Sequence, residues 1–377
     1  MSGRDVAIDW RGRRTTAHVP DPLAQRSAPL DVGTARALER AAGSLVRADE
    51  HLPIHFEPLF RLLLRAEGIA SSNIEGLQAS LPEVAAAELA PVSGEVASAV
   101  ADNLHAVVAA VLDARHTGLD QASLDRWHGT LMRDAAHLEP YQRGAMRTEQ
   151  SWIGGLSPLD AAFVPPPPDL VPDLMRDLVT FANRTDLDPI AQAAMVHVQF
   201  ESIHPYADGN GRIGRLLIGW ILTRRLELHS PPPVSVRISA DRGGYLATMT
   251  MWRLGTSTPW IGWFADVVDS AARSAYVLVD RIADLQQAWR ERLTGVRSDG
   301  SAWALLELLP ACPALTAGLT AEQLGIGVPS ARKALAALEA RGIVKPFTPS
   351  APGRPGRPDS WWVASEIADL IGSWARS

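Results

Sequence analysis

The chain has 377 residues, 46% hydrophobic and 21% charged, the balance of a globular protein with a large core and room for two or three domains. A net charge of −6 gives no global basic field for nucleic acid, and the single cysteine, Cys312, excludes an internal disulfide framework and fits a reducing compartment. Met1 to Asp5 carry no apolar signal, and the apolar run Leu216 to Leu222 is too short to span a bilayer, so a cytoplasmic protein with no membrane partner is expected.

Residues 1–30 are polar, with no clear period, and predict an extended arm or a short strand. Ala35, Leu38, Ala41 and Leu45 recur at helical spacing, as do Leu59, Leu62, Leu63 and Ala66, which predicts helices over 33–50 and 58–70. The stretch Ser71-Ser72-Asn73-Ile74-Glu75-Gly76 follows. Ser71 and Glu75 share a helix face and Gly76 suits a helix stop, so by themselves they read equally as a solvated helix end. Helices over 83–90 and 96–115, separated by a break at 91–94, precede a helix over 119–133 with Asp120 or Ser123 as its cap.

Ser151-Trp152-Ile153-Gly154-Gly155 reads as a β-prone segment running into a tight turn, and Trp152 taken alone reads as a packing anchor. The prolines at 165–168 form a stiff spacer. Helices over 169–183 and 188–202 deliver the chain to His204. After the helix over 212–226 come a short segment over 234–238, a helix through Arg253 that follows Gly243-Gly244-Tyr245, and a long helix over 260–293. Residues 301–377 look separate. Helices over 302–309 and 330–340, a turn after Thr320 to Leu324, and strands over 343–347 and 361–363 flank a wing at 353–358, a pattern that resembles a winged helix-turn-helix. Arg332, Lys333, Arg341, Lys345, Arg354 and Arg357 against Glu322 and Glu339 permit phosphate contacts, and equally a solvated face or a protein-docking module.

The chemistry concentrates in His204-Pro205-Tyr206-Ala207-Asp208-Gly209-Asn210-Gly211-Arg212-Ile213-Gly214-Arg215. Its glycines let backbone N–H groups converge as an anion nest, and a helix from Arg212 points its positive end at the same place. Asp208 suits a hard cation, Arg212 and Arg215 share a helix face as forks for phosphate oxygens, and His204 is a candidate general base. This is the composition of a nucleotide-triphosphate site with a base beside it. His197, His204 and Asp208 lack the spacing of a zinc site. The GxGxxG at 209–214 follows a helical segment, and Glu227 is not on a second strand, so a dinucleotide fold is rejected.

The same residues resemble the Fic signature HxFx(D/E)GNGRxxR, with Tyr206 standing where that family has Phe. The resemblance implies an all-α Fic domain with a short β-hairpin flap, and transfer of AMP from ATP to a Ser, Thr or Tyr hydroxyl of a target protein. It implies His204 as base and Mg²⁺ on Asp208. It also implies phosphate contacts from Gly209, Asn210, Gly211, Arg212, Gly214 and Arg215, and Tyr245 near the adenine. Ser151, Trp152, Ile153 and Gly154 match the flap that holds the target as an added strand. Ser71, Glu75 and Gly76 resemble the family's inhibitory motif, in which Glu75 would pair with Arg215 and take the place of the γ-phosphate.

The expected division is an N-terminal arm and helical region over 1–115, a catalytic domain over 116–270, a connecting helix over 271–300 and a winged helix over 301–377. Self-modification, a homodimer and DNA contact through 320–358 are further partner expectations. Two alternatives stand beside adenylyl transfer. One is a Fic-type enzyme that transfers another group or removes AMP. The other is a nucleotide-responsive DNA-binding regulator.

Overall fold

The structure is a computed structural model, described for residues 3–28, 30–52, 57–90, 94–296, 300–350 and 360–375. In chain order it begins with strands β1 (Arg4–Trp10) and β2 (Arg13–Val19) and helices α1 (Val32–Glu50), α2 (Glu57–Ile74), α3 (Leu81–Leu89) and α4 (Glu95–Ala114). Helices α5 (Gln121–Leu131), α6 (Val171–Ala182), α7 (Pro189–Ile203), α8 (Asn210–Leu226), α9 (Val234–Ala240), α10 (Arg242–Arg253) and α11 (Thr258–Arg292) follow. The last part holds α12 (Ser301–Leu308), β3 (Ala314–Thr316), α13 (Ala317–Leu324), α14 (Val328–Glu339), β4 (Lys345–Phe347), β5 (Trp361–Val363) and α15 (Ser365–Trp374). The fold is thus mostly helical, as expected.

The chain divides into two compact units, residues 1–49 with 105–272 and residues 50–104 with 273–377, and the boundaries fall at the end of α1 and inside α4 and α11. In the first unit α7 is the central helix. Every side chain from Ile190 to Ile203 is buried, so it shows no amphipathic stripe. Asp188 caps its N-terminus by accepting from the N–H groups of Ile190 and Ala191. Trp260 donates its indole N–H to the Ala194 carbonyl at 2.8 Å, and Ser44 on α1 donates to Asp269 at 2.6 Å, so these buried polar groups are paired.

The N-terminal arm is a regular antiparallel hairpin, with Arg4 opposite Val19 and Trp10 opposite Arg13. Its two-residue turn places Arg11 and Gly12 at φ +52° and +80°, the mirror-image turn that matches strand twist. The alternation of Val6, Ile8 and Trp10 is the period-2 signal. It is easy to miss because the partner strand, Arg13-Arg14-Thr15-Thr16, is polar.

In the second unit, Asn103 on α4 donates to the Gly68 carbonyl (2.9 Å) and the Ser72 hydroxyl (3.1 Å), which ties it to the last turns of α2. α2 runs on past Ala70 to Ile74, so Ser71 lies within it, buried, and Glu75 falls in the turn that ends it. Gly76 has φ +85° and terminates the helix as expected. Strands β3, β5 and β4 form one antiparallel sheet in that order, and Ala85 and Ala86 of α3 pack on Ala314 and Trp361. Thr320 to Leu324 lie in helix α13, and the expected turn falls at Gly325, φ +63°. The expected wing at 353–358 lies outside the described residues. Among the described residues α4 is the one helix long and apolar enough to cross a membrane, and 56% of its apolar window is buried inside the protein.

Candidate active site

The chain leaves α7 at His204, which takes left-handed backbone angles (φ +52°, ψ +62°) and so ends the helix in one residue. Its N–H still reaches the Phe200 carbonyl at 2.8 Å. The imidazole is mostly enclosed. Nδ1 is buried and lies 4.0 Å from Glu201 Oε2, which leaves Nε2 as the nitrogen toward solvent. α8 then starts at Asn210, with Gly209 at its cap in the left-handed region, φ +74°. A Cβ on Gly209 would come within 2.1 Å of Met132 Cε, the end of a flexible side chain that would have to shift, and the left-handed backbone itself favours glycine. The first N–H groups of α8 have no helical acceptor and carry its positive end.

Between these helices the loop is braced from inside. Asn210 Oδ1 accepts from the Tyr206 N–H (2.8 Å), and its Nδ2 donates to the Tyr206 carbonyl (2.9 Å). The Asn210 amide is therefore spent on the loop backbone. It braces the loop between Tyr206 and the start of α8. The Tyr206 ring is fully buried, and its hydroxyl donates to Asp125 Oδ1 at 2.8 Å and accepts from Gln121 Nε2 at 3.3 Å. The hydroxyl added by Tyr in place of Phe thus has its partners on α5.

Asp208 faces outward, with its side chain 45% exposed. Oδ1 accepts from the Gly209 N–H at 2.6 Å, Oδ2 is 2.8 Å from His137 Nε2, and Arg212 Nη2 is 3.9 Å away. Partial burial pushes this carboxyl up. The Gly209 N–H, Arg212 and His137 together outweigh that and hold it below the usual carboxylate range. Arg212 and Arg215 are both buried along the first turns of α8. Gly214 lets α8 approach α7, since a Cβ there would stand 3.0 Å from Glu201 Oε1 and 3.1 Å from His197 Nδ1.

Tyr245, expected beside a nucleotide base, is buried one layer behind Gly214. Its hydroxyl is 2.9 Å from His197 Nε2, and its ring packs among Trp260 and Trp263. Its aromatic ring is buried with one polar tip satisfied. Ser151, Trp152, Ile153 and Gly154 open a loop rather than the two-residue hairpin that Gly154-Gly155 suggested. The loop is closed by one β-bridge, in which Ile153 and Phe163 exchange hydrogen bonds of 2.8 and 3.1 Å. Gly154 and Gly155 have φ +70° and +76°, and Asp160 accepts from the N–H groups of Leu156 and Ser157 to shape the tip. Trp152 packs edge-on against Trp10 of β1, 5.3 Å between ring centres.

Several residues at this site carried no sequence signal. His128 accepts at Nδ1 from the Gly144 N–H (2.9 Å), donates at Nε2 to the Asp208 carbonyl (3.0 Å) and stacks on Tyr206. Burial drives its pKa down to about 4, so it is neutral, as its accepting Nδ1 requires. His137 and Arg147 are the others. They lie on segments far from the motif in sequence, and only folding brings them to it.

The comparisons agree with this geometry. The Fic/DOC family profile matches residues 118–222, from the start of α5 to within α8. The chain is similar to the protein adenylyltransferase fic-1 of Caenorhabditis elegans, 30% identical over 149 residues, 39% of this chain and 27% of that protein. It is similar to a probable protein adenylyltransferase of Aquifex aeolicus, 46% identical over 63 residues, 16% of this chain and 20% of that protein. The matched segments thus span only about a quarter of the length of these relatives. Among solved structures, a Fic family protein from Desulfovibrio desulfuricans aligns over 90% of this chain and 98% of its own, with a TM-score of 0.56 at 21% identity. That likeness speaks for the fold. Motif, fold and profile coincide on α5 to α8, where residues 118–222 match the Fic/DOC family.

Proposed function

We propose that the protein is a protein adenylyltransferase that moves AMP from ATP to a Ser, Thr or Tyr hydroxyl of a target protein. The observation that carries this is the placing of His204 at the end of α7, opposite the first N–H groups and buried arginines at the start of α8. A triphosphate at that helix start meets a positive helix end, Arg212 and the amides around Gly209 and Gly211, with Gly214 one turn further along α8. The target hydroxyl gives its proton to His204 Nε2. Its oxygen bonds to the α-phosphorus as the bond from that phosphorus to the bridging oxygen breaks, and pyrophosphate leaves.

Asp208 fits magnesium: a single partly exposed carboxylate is what that ion takes when substrate phosphates complete its shell. When bound, the ion would offset phosphate charge. The loop from Ser151 to Phe163 is proposed to hold the target segment as an added strand.

Further parts of the reading rest on sequence resemblance. Glu75, with Ser71 and Gly76, acts as a brake that competes with the γ-phosphate for Arg215. Residues 116–270 form the catalytic domain, 271–300 the connecting helix and 301–377 a winged helix. The buried Cys312 suits a reducing, cytoplasmic setting.

The test is labelling of proteins from α-labelled ATP. His204→Ala should lower labelling by roughly two to four orders of magnitude, as loss of a positioned base does. Labelling at the wild-type rate would overturn the reading.

A further inference from the structure

We infer that Arg147 is a positioning residue that ties the loop carrying Ser151 to Gly154 to the loop carrying His204. It thereby sets the distance between an acceptor held on the first and the base on the second. This deepens the proposed function and rests on it for the roles of the two loops, but not for the tie itself.

Arg147 is only 6% exposed, and among the described residues no carboxylate accepts from it. Its guanidinium is spent on backbone carbonyls. Nε donates to His204 (2.8 Å), Nη1 to Glu149 (2.9 Å) and Nη2 to Pro166 (2.6 Å), with Ile203 at 3.5 Å from Nη2. Its own N–H donates to the Pro205 carbonyl at 2.8 Å. Glu149 and Pro166 are the outgoing and returning roots of the Ser151 loop. Ile203, His204 and Pro205 are the entry to the motif loop. One planar fork therefore spans both.

A buried cation is costly unless hydrogen bonds replace its water. Burial pulls Arg147 down to about 10, so it is still charged at neutral pH, and the carbonyl dipoles of these two loops are what solvate it. Arg253 adds a looser contact between the neighbourhoods of these segments, 3.8 Å over the Phe163 ring and 3.5 Å from Ser202 Oγ on α7. The Ser151 loop is closed on itself by the Ile153–Phe163 bridge and by Gln150, which donates to the Pro165 carbonyl at 2.9 Å. The motif loop is closed on itself by Asn210. His204 carries the held carbonyl and the imidazole on one residue, so the carbonyl bond fixes the backbone from which the ring projects. A lysine, with one nitrogen in place of a fork, cannot reach both roots at once.

The test uses the full chain with Arg147→Lys and Arg147→Met. Amide hydrogen exchange is followed at 149–153, at Phe163 and Val164, and at His204 and Tyr206. The expected result is exchange faster by roughly tenfold or more in both loops, with α7 from 191 to 199 as protected as before. In a Glu75→Gly background, labelling of lysate proteins from α-labelled ATP should fall by roughly a hundredfold while Mg-ATP affinity changes by less than about twofold, the signature of misplaced reactants. Loosening of only one loop, unchanged exchange, or equal loosening of α7 would each overturn the tie. Exchange is read without any activity. If no variant labels protein, the function fails, and the exchange result still decides the role of Arg147.

Discussion

His128 lies flat against Tyr206, with ring centres 3.9 Å apart and planes 6° from parallel, and its two nitrogens hold the backbone of Gly144 and Asp208. The stack makes α5 the floor of the motif loop. It also shows what the Tyr206 hydroxyl adds, a bond to Asp125 at the edge of the same floor.

Tyr206→Phe keeps the stack and removes that one bond. Gln121 still donates to Asp125 at 2.7 Å, so the carboxylate is not stranded. The expected cost is about 1–2 kcal/mol in denaturant unfolding, with labelling activity close to wild type. Tyr206→Ala removes the fully buried ring and should cost about 3–5 kcal/mol. A Phe variant as damaged as the Ala variant would show that the hydroxyl, not the ring, holds the loop.

The two buried imidazoles predict acid lability. Burial lowers His128 from its ordinary 6.5 to about 4 and His197 to about 3. Between these values and 6.5 the unfolded chain binds protons that the folded chain refuses. Stability is therefore present in full above about 6.5 and falls as pH drops through the window toward 4. For His128 alone the loss is on the order of 3 kcal/mol. Melting temperatures at pH 7, 6, 5 and 4 check this, and His128→Gln should flatten the slope. A melting temperature independent of pH over that range would refute it.

Gly209→Ala combines two penalties that can be separated. The new Cβ meets Met132 Cε at 2.1 Å and Leu131 Cδ2 at 3.1 Å, and an L residue is strained at φ +74°. The strain alone costs about 1–2 kcal/mol. Labelling should fall sharply, because the shift is at the cap of α8. Adding Met132→Ala should recover the clash but not the strain, so the double variant should remain below wild type in labelling. Full recovery would mean that only space, not backbone angle, demands glycine there.

Glu75→Gly tests the proposed brake. Glu75 occupies the turn that ends α2, so the substitution removes a carboxylate without removing a helical residue. Labelling, including self-labelling, should rise by roughly tenfold or more if the carboxylate competes with a phosphate for Arg215, since a displaced charge pair is worth at least 1.4 kcal/mol. Arg215→Ala should lower Mg-ATP affinity and abolish the gain. No change in labelling with an intact melting transition would remove Glu75 from regulation.

Much of the fold was legible because helices announce themselves by spacing. The predicted stretches over 33–50, 96–115 and 188–202 correspond to α1, α4 and α7 within a few residues. The hairpin of β1 and β2 was not legible as such, since short strands with one polar partner give a weak period. The loop after Ser151 was legible only in part. Gly154 and Gly155 mark left-handed backbone, but the closing partner, Phe163, is set by packing against Arg253, 3.8 Å from its ring centre, and against His18.

The sequence by itself determined the chemistry of residues 204–215, because base, carboxylate, glycines and arginines lie within one continuous segment whose local geometry follows from a helix ending and another beginning. Only the tertiary structure decided what supports them. It turned Asn210 onto the loop backbone, buried Tyr245 against His197, found Asp125 for the Tyr206 hydroxyl, and brought His128, His137 and Arg147 to the motif from other segments. The physical reason is the range of the forces involved. Helix ends and left-handed turns are fixed by bonds to near neighbours in sequence. A buried polar atom takes its partner from whatever segment packing sets within 3 Å or so of it.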